Sequence, residues 1–200
     1  MSLWQRIRGK LTDDEPIADQ KQSVLDSPMY KMGFLQLKDG RDEIVSSYGD
    51  FGLSPTNPIP VNGPEGETIY INRLRSCSGV GFMYHRVGSL KPANATNPID
   101  QFELVSIDAS ERYILYFDMY YSRRSTKVPA GLTLIPWSKM DKRARFMCKL
   151  DCTGSTTTHL DNFPNSLPAY LESSNILKSL SPGLGKTMAD LVRKFLSESF

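Results

Sequence analysis

The stretch Arg112-Tyr113-Ile114-Leu115-Tyr116-Phe117-Asp118-Met119-Tyr120-Tyr121 decides how this chain folds. Its odd positions, Tyr113, Leu115, Phe117, Met119 and Tyr121, are uniformly apolar, while its even positions mix Arg112, Ile114, Tyr116, Asp118 and Tyr120. Successive side chains of a strand point to opposite faces, so this segment buries one face completely and leaves the other partly wet. That is the pattern of a strand in the centre of an antiparallel sheet.

Further strands are expected on either side of it. Met32–Leu37 runs into Lys38-Asp39-Gly40-Arg41, a hairpin turn signal, with Glu43–Tyr48 as the return arm. Glu67–Leu74, Val80–Val87 and Gln101–Ile107 have strand composition, and Gly131–Trp137 adds another, kept near an edge by Pro136. The last forty residues change period. Ser166-Leu167-Pro168 reads as a cap and first turn of a helix running towards Leu180, and Ser181-Pro182-Gly183 interrupts it. Met188, Leu191, Val192, Phe195 and Leu196 then mark one face of a second helix, with Thr187 and Asp190 spaced as a capping box. The expected fold is therefore α+β: an antiparallel sheet of about six strands with C-terminal helices packed on one side. Residues 23–200 form one domain in this reading. Residues 1–22 precede it as a short amphipathic helix, with Leu3, Trp4, Ile7 and Leu11 on one face, and an acidic linker through Gln22.

Composition sets the broad class. With 200 residues, 40% hydrophobic and 23% charged, the chain is ordinary for a globular domain. No stretch approaches the roughly 20 apolar residues of a membrane-spanning helix. The N-terminus lacks the continuous apolar region of a secretory signal. Cys77, Cys148 and Cys152 are odd in number, which fits a reducing compartment, so a cytoplasmic location is expected.

Most motifs fail against the geometry they need. Gly183-Leu184-Gly185-Lys186-Thr187 invites a phosphate-loop reading, but the first glycine of that motif would fall at Leu180. Cys148, Cys152 and His159 lack a fourth zinc ligand unless Cys77, His85 or Asp161 supplies it, and buried thiols are the favoured reading. No cofactor or metal is expected. Asp118 within so apolar a strand must be paired, exposed or shifted in its ionisation, and His85 lies on another strand, so an enzyme pocket around the two is an alternative.

Asn57-Pro58-Ile59-Pro60-Val61-Asn62-Gly63-Pro64 should be a stiff, extended loop, able to present the amides of Asn57 and Asn62. Together with Gly66-Glu67, Asn72-Arg73-Leu74-Arg75 and His85-Arg86-Val87-Gly88-Ser89, this loop resembles a pattern in small bacterial proteins of no assigned activity. The resemblance implies a bacterial cytosolic protein. It offers no mechanism, and no functional residue carries over from it.

Charge is the most directive signal. Between Arg112 and Lys149 stand nine Lys and Arg residues against Asp118 and Asp141 alone, whereas the whole chain carries only +2. One cluster, Arg123, Arg124 and Lys127, leaves the Tyr-rich strand. A second, Lys139, Lys142, Arg143 and Arg145, follows Trp137. Cations beside Tyr120, Tyr121 and Trp137 favour an anionic partner. The leading expectation is a non-enzymatic binding protein that engages an acidic partner protein. Nucleic acid is the alternative, with phosphates gripped by the cations and bases stacked on the rings. A weak membrane-surface contact through Leu3, Trp4 and Ile7 is a further one. Both uses of the basic surface require the two clusters to converge.

Overall fold

The computed structural model describes residues 15–34, 36–149 and 166–198. In chain order the elements are α1 (Ile17–Asp26), α2 (Pro28–Lys31), β1 (Ile59–Pro60), α3 (Gly63–Arg73), β2 (Leu74–Arg75), β3 (Phe82–Leu90), β4 (Ile99–Ser106), β5 (Arg112–Asp118) and β6 (Thr133–Leu134). A 3-10 turn at Trp137–Lys139 then leads to α4 (Lys142–Lys149), α5 (Leu167–Ser173), α6 (Asn175–Leu180) and α7 (Leu184–Glu198). The architecture is α+β.

The alternating stretch lies where its pattern put it. β5 is an inner strand of a four-stranded sheet ordered β1-β5-β4-β3, antiparallel to β4. Leu115, Phe117 and Tyr121 are buried, and Tyr113 and Met119 pack against the same core. β3 and β4 pair antiparallel with a bulge between Arg86 and Gly88. β1 joins β5 in parallel, setting Ile59 opposite Phe117 and Pro60 opposite Asp118. The prolines of the stiff loop can form a strand there because β1 is at the sheet's edge.

Both faces of the sheet are covered. Phe82, Tyr84, Phe102, Leu104, Leu115 and Phe117 pack with Tyr70, Ile71 and Leu74, and the Tyr70 ring meets Phe117 edge-on at 5.8 Å. On the opposite face, Met83 and Val105 pack under Leu167, Tyr170, Leu171, Ala189 and Val192 of the C-terminal helices. The C-terminal helices thus pack on one side as expected, while α3, which reads as a strand in the sequence, covers the other.

Two expected strand regions are not strands. Glu67–Arg73 falls in α3, with Leu74 beginning β2; the helix opens with Gly63 in the left-handed region (φ 75°) and Pro64 in the first turn. Its Ile69, Tyr70 and Ile71 read as strand because the helix is buried around most of its circumference, which erases the usual amphipathic stripe. Among the described residues of Met32–Tyr48 no hairpin forms either. The expected turn instead lies across the end of the sheet, where the Lys38 N–H donates to Tyr120 O at 2.7 Å and Ser122 N–H donates to Lys38 O at 2.9 Å. The result is a mixed four-stranded sheet plus a two-stranded β2-β6 ribbon, not about six antiparallel strands.

At the C-terminus Ser166 caps α5, its hydroxyl accepting from Ala169 N–H at 3.5 Å. The single expected helix towards Leu180 breaks at Ser174, whose hydroxyl accepts from Leu177 N–H at 3.2 Å to start α6. α7 begins at Leu184, so Thr187 lies within it and donates its hydroxyl to Gly183 O at 3.2 Å instead of capping. Gly185 lets α7 approach α5 closely: a Cβ there would sit 2.3 Å from Leu171 O. Helix packing thus accounts for Gly185, and a left-handed backbone (φ 86°) for Gly183, the two glycines that imitate a phosphate loop.

Residues 17–22, expected as linker, belong to α1. The N-terminal amphipathic segment with Leu3, Trp4 and Ile7 lies outside the described residues, as do Cys152, His159 and Asp161. Among the described residues no helix is long and apolar enough to cross a membrane.

Candidate functional site: the cationic face of the helix after Trp137

Asp141, the one acid of the second basic cluster, is engaged as a helix cap. Its side chain accepts from Ala144 N–H at 2.8 Å and its carbonyl from Arg145 N–H at 2.9 Å. Cys148 anchors the inner face of α4 in a small core with Ile69, Trp137 and Met140, against which Ala144 and Ile135 pack. The Asn72 amide donates to Cys148 O at 3.0 Å, and Lys149 reaches Glu65 of α3 at 3.7 Å. This seating leaves Lys142, Arg143, Phe146 and Met147 on the solvent side, with Lys139 exposed just before them.

The outward face is unusual in two ways. Phe146 is 61% exposed and Met147 42% exposed, so apolar surface lies among the cations. In addition, Lys142, Arg143 and Arg145 occupy the start of a helix that has no acid in its first turn. The N-terminal end of a helix carries partial positive charge that disfavours cations, and the single capping carboxylate of Asp141 stands there against three of them. Among the described residues, Lys139, Lys142, Arg143 and Arg145 form no ion pair that would offset this.

The two basic clusters do not converge on one outward surface: a single member of each, Arg124 and Arg145, meets at Trp137 inside the protein. Trp137 is 6% exposed, and the guanidinium groups of Arg124, Arg145 and Arg73 lie 5.7, 5.5 and 5.9 Å from its ring centre. Arg124 is only 1% exposed. It pairs with Glu15, donates from Nη1 to Asn62 Oδ1 at 3.2 Å, and its backbone N–H donates to Gln20 Oε1 at 3.0 Å. Arg123 pairs with Asp42 at 2.9 Å, and Lys127 pairs with Glu43. The first cluster is thus matched by local carboxylates, and the second is not.

The remaining candidates are similarly engaged. Tyr121 is 2% exposed, with Lys38 and Arg41 over its ring at 5.0 and 5.7 Å, and Tyr120 is half-buried. The Asn57 amide donates to Gly49 O at 2.8 Å and that of Asn62 to Gln20 O at 2.9 Å, so both side chains hold the loop in place.

His85 and Asp118 do not share a pocket. His85 is buried, with Nε2 at 2.8 Å from Glu103 Oε2 and its ring stacked on Tyr170. Glu103 also accepts from Arg112 at 2.8 Å. The His85 bond, and then Arg112, hold the Glu103 carboxyl below its ordinary range despite partial burial. Asp118 accepts from Lys38 Nζ at 3.2 Å and lines a cavity of about 260 Å³ that His85 does not reach. Burial pushes the Asp118 carboxyl up, against the pull of Lys38.

One buried cluster escaped sequence reading. Asp100 accepts from Arg86 Nη2 at 2.6 Å and from the Ser89 hydroxyl at 2.7 Å. Beside it, burial first and the Asp100 charge second hold the Glu67 carboxyl well above the carboxylate range. Glu67 was read as part of a strand, which hid its inward aim; the signal available was Gly63-Pro64-Glu65, a helix start three residues away.

The chain matches no protein-family model, no curated protein and no solved structure.

Proposed function

We propose that this protein is a non-enzymatic binding or accessory protein that engages an acidic protein partner through the outward face of α4. Lys139, Lys142 and Arg143 supply the charge and Phe146 the apolar contact. The observation that carries this reading is a group of unmatched cations at a helix end that disfavours them, surrounding an exposed aromatic ring. Local rules are broken in this way where binding, rather than folding, selects the residues. A partner surface with carboxylates around an apolar pocket would complement both features.

Nucleic acid is less well supported, because the rings that would stack bases are not available. Trp137 and Tyr121 are buried and Tyr120 is half-buried, which leaves Phe146 as the exposed ring on the cationic face of α4. A catalytic reading is less well supported: among the described residues, the Asp118 carboxylate that lines the cavity is paired with Lys38, and His85 is not in its lining.

The test is a photo-crosslinking residue in place of Phe146, compared with the same residue in place of Leu180, which is also exposed. Adducts with an acidic protein are expected at position 146 and not at 180, and they should weaken as salt rises. Equal labelling at both positions, or adducts with nucleic acid, would remove this assignment.

A further inference from the structure

The cavity beside Asp118 has a composition that selects its occupant. At about 260 Å³ it is smaller than the roughly 300–1,000 Å³ of pockets that enclose drug-sized ligands, so it suits a compact molecule. Its charged lining consists of Lys38, Arg41 and Asp118. Lys38 and Asp118 neutralise each other at 3.2 Å. Arg41 forms no ion pair among the described residues, and its Nε is buried with no hydrogen-bond partner. The Arg41 guanidinium lies over the Tyr121 ring at 5.7 Å, a cation–π contact, while Ile44 and Val45 supply apolar wall.

A net single positive charge, a guanidinium with unused donors and an apolar wall together specify a ligand class. We propose that this cavity binds a small organic monoanion, a carboxylate on a compact apolar body, with the carboxylate against Arg41. Guanidinium and carboxylate match as planar, two-point partners, and the shielded site strengthens their attraction over that in water. The Lys38–Asp118 pair sets the charge balance: with Asp118 ionised the site accepts one negative charge.

The site is independent of α4, and its test uses defined probes on the full-length chain. Benzoate, benzamidine and inorganic phosphate are titrated separately while the amide signals of residues 38–45 and 94–96 are followed by NMR. Saturable shifts with benzoate and none with benzamidine are expected. In Arg41→Gln the benzoate dissociation constant should rise by about tenfold or more, with the melting temperature falling by no more than about 4 °C. In Asp118→Asn it should fall, because the Lys38 ammonium is released towards the ligand, an outcome that a purely structural Asp118 would not produce. Absence of saturation by benzoate, saturation by phosphate instead, or benzoate binding untouched by Arg41→Gln would overturn the proposal.

Discussion

Replacing Arg124 with Ala tests whether this residue belongs to the interior or to a binding surface. The change removes one partner of a buried ion pair, leaving the Glu15 carboxylate facing a cavity and the Asn62 carbonyl without its donor. Breaking a buried pair from one side costs about 3–5 kcal/mol, and the lost stacking on Trp137 adds about 0.5–1 kcal/mol. The Glu15 side chain keeps 11% of its exposure, so water relieves part of the penalty and about 3–4 kcal/mol is the expected loss. For a chain of this size that lowers the melting temperature by about 6–16 °C. Urea and thermal unfolding measure it directly. The pair-deleting variant Arg124→Met/Glu15→Leu should regain much of the loss, because apolar residues of similar volume replace a buried pair at little cost. A loss under about 1 kcal/mol in Arg124→Ala, or a double variant no better than the single, would refute the structural role.

Two further outcomes probe the interior. The folded-state pKa of Glu67 is raised above its ordinary 4.5, so the folded chain retains a proton that the unfolded chain releases. Stability contributed by this site is therefore present at acid pH and lost as pH rises from about 5 towards and through the folded pKa, so Glu67→Gln should flatten that decline in urea midpoints and leave the variant the more stable at neutral pH. Gly185→Ala forces a methyl group against Leu171 O and should destabilise by about 1–3 kcal/mol in urea unfolding, whereas Gly183, at φ 86° with open space around it, resists Ala for conformational reasons alone.

β5 was legible because Leu115 and Phe117 point into the core while Arg112 does not. β3 and β4 are buried on both faces over much of their length, so composition rather than alternation marked them. α3 was hidden because Ile69, Tyr70 and Ile71 are all buried, so neither a period of two nor of 3.6 stands out, and β-branched residues then weigh towards strand. The hairpin at Asp39-Gly40 failed for a different reason. Asp42 and Glu43 bind Arg123 and Lys127 far along the chain, and those contacts, not a neighbouring strand, hold the turn. The same long-range pairing explains the candidate site. Basic clusters are legible as composition, but which cations meet a carboxylate depends on the fold. Glu15, Asp42 and Glu43 match the first cluster, and the capping role of Asp141 leaves the second unmatched.

Charge reversal on α4 separates binding from folding by sign. In Lys142→Glu/Arg143→Glu two acids replace two cations at the positive end of the helix, so stability should hold or rise by about 0.3–1 kcal/mol per site at low salt. Partner recovery by the same variant should be abolished. Retained recovery, or a melting temperature that falls together with it, would contradict the assignment of this face to binding.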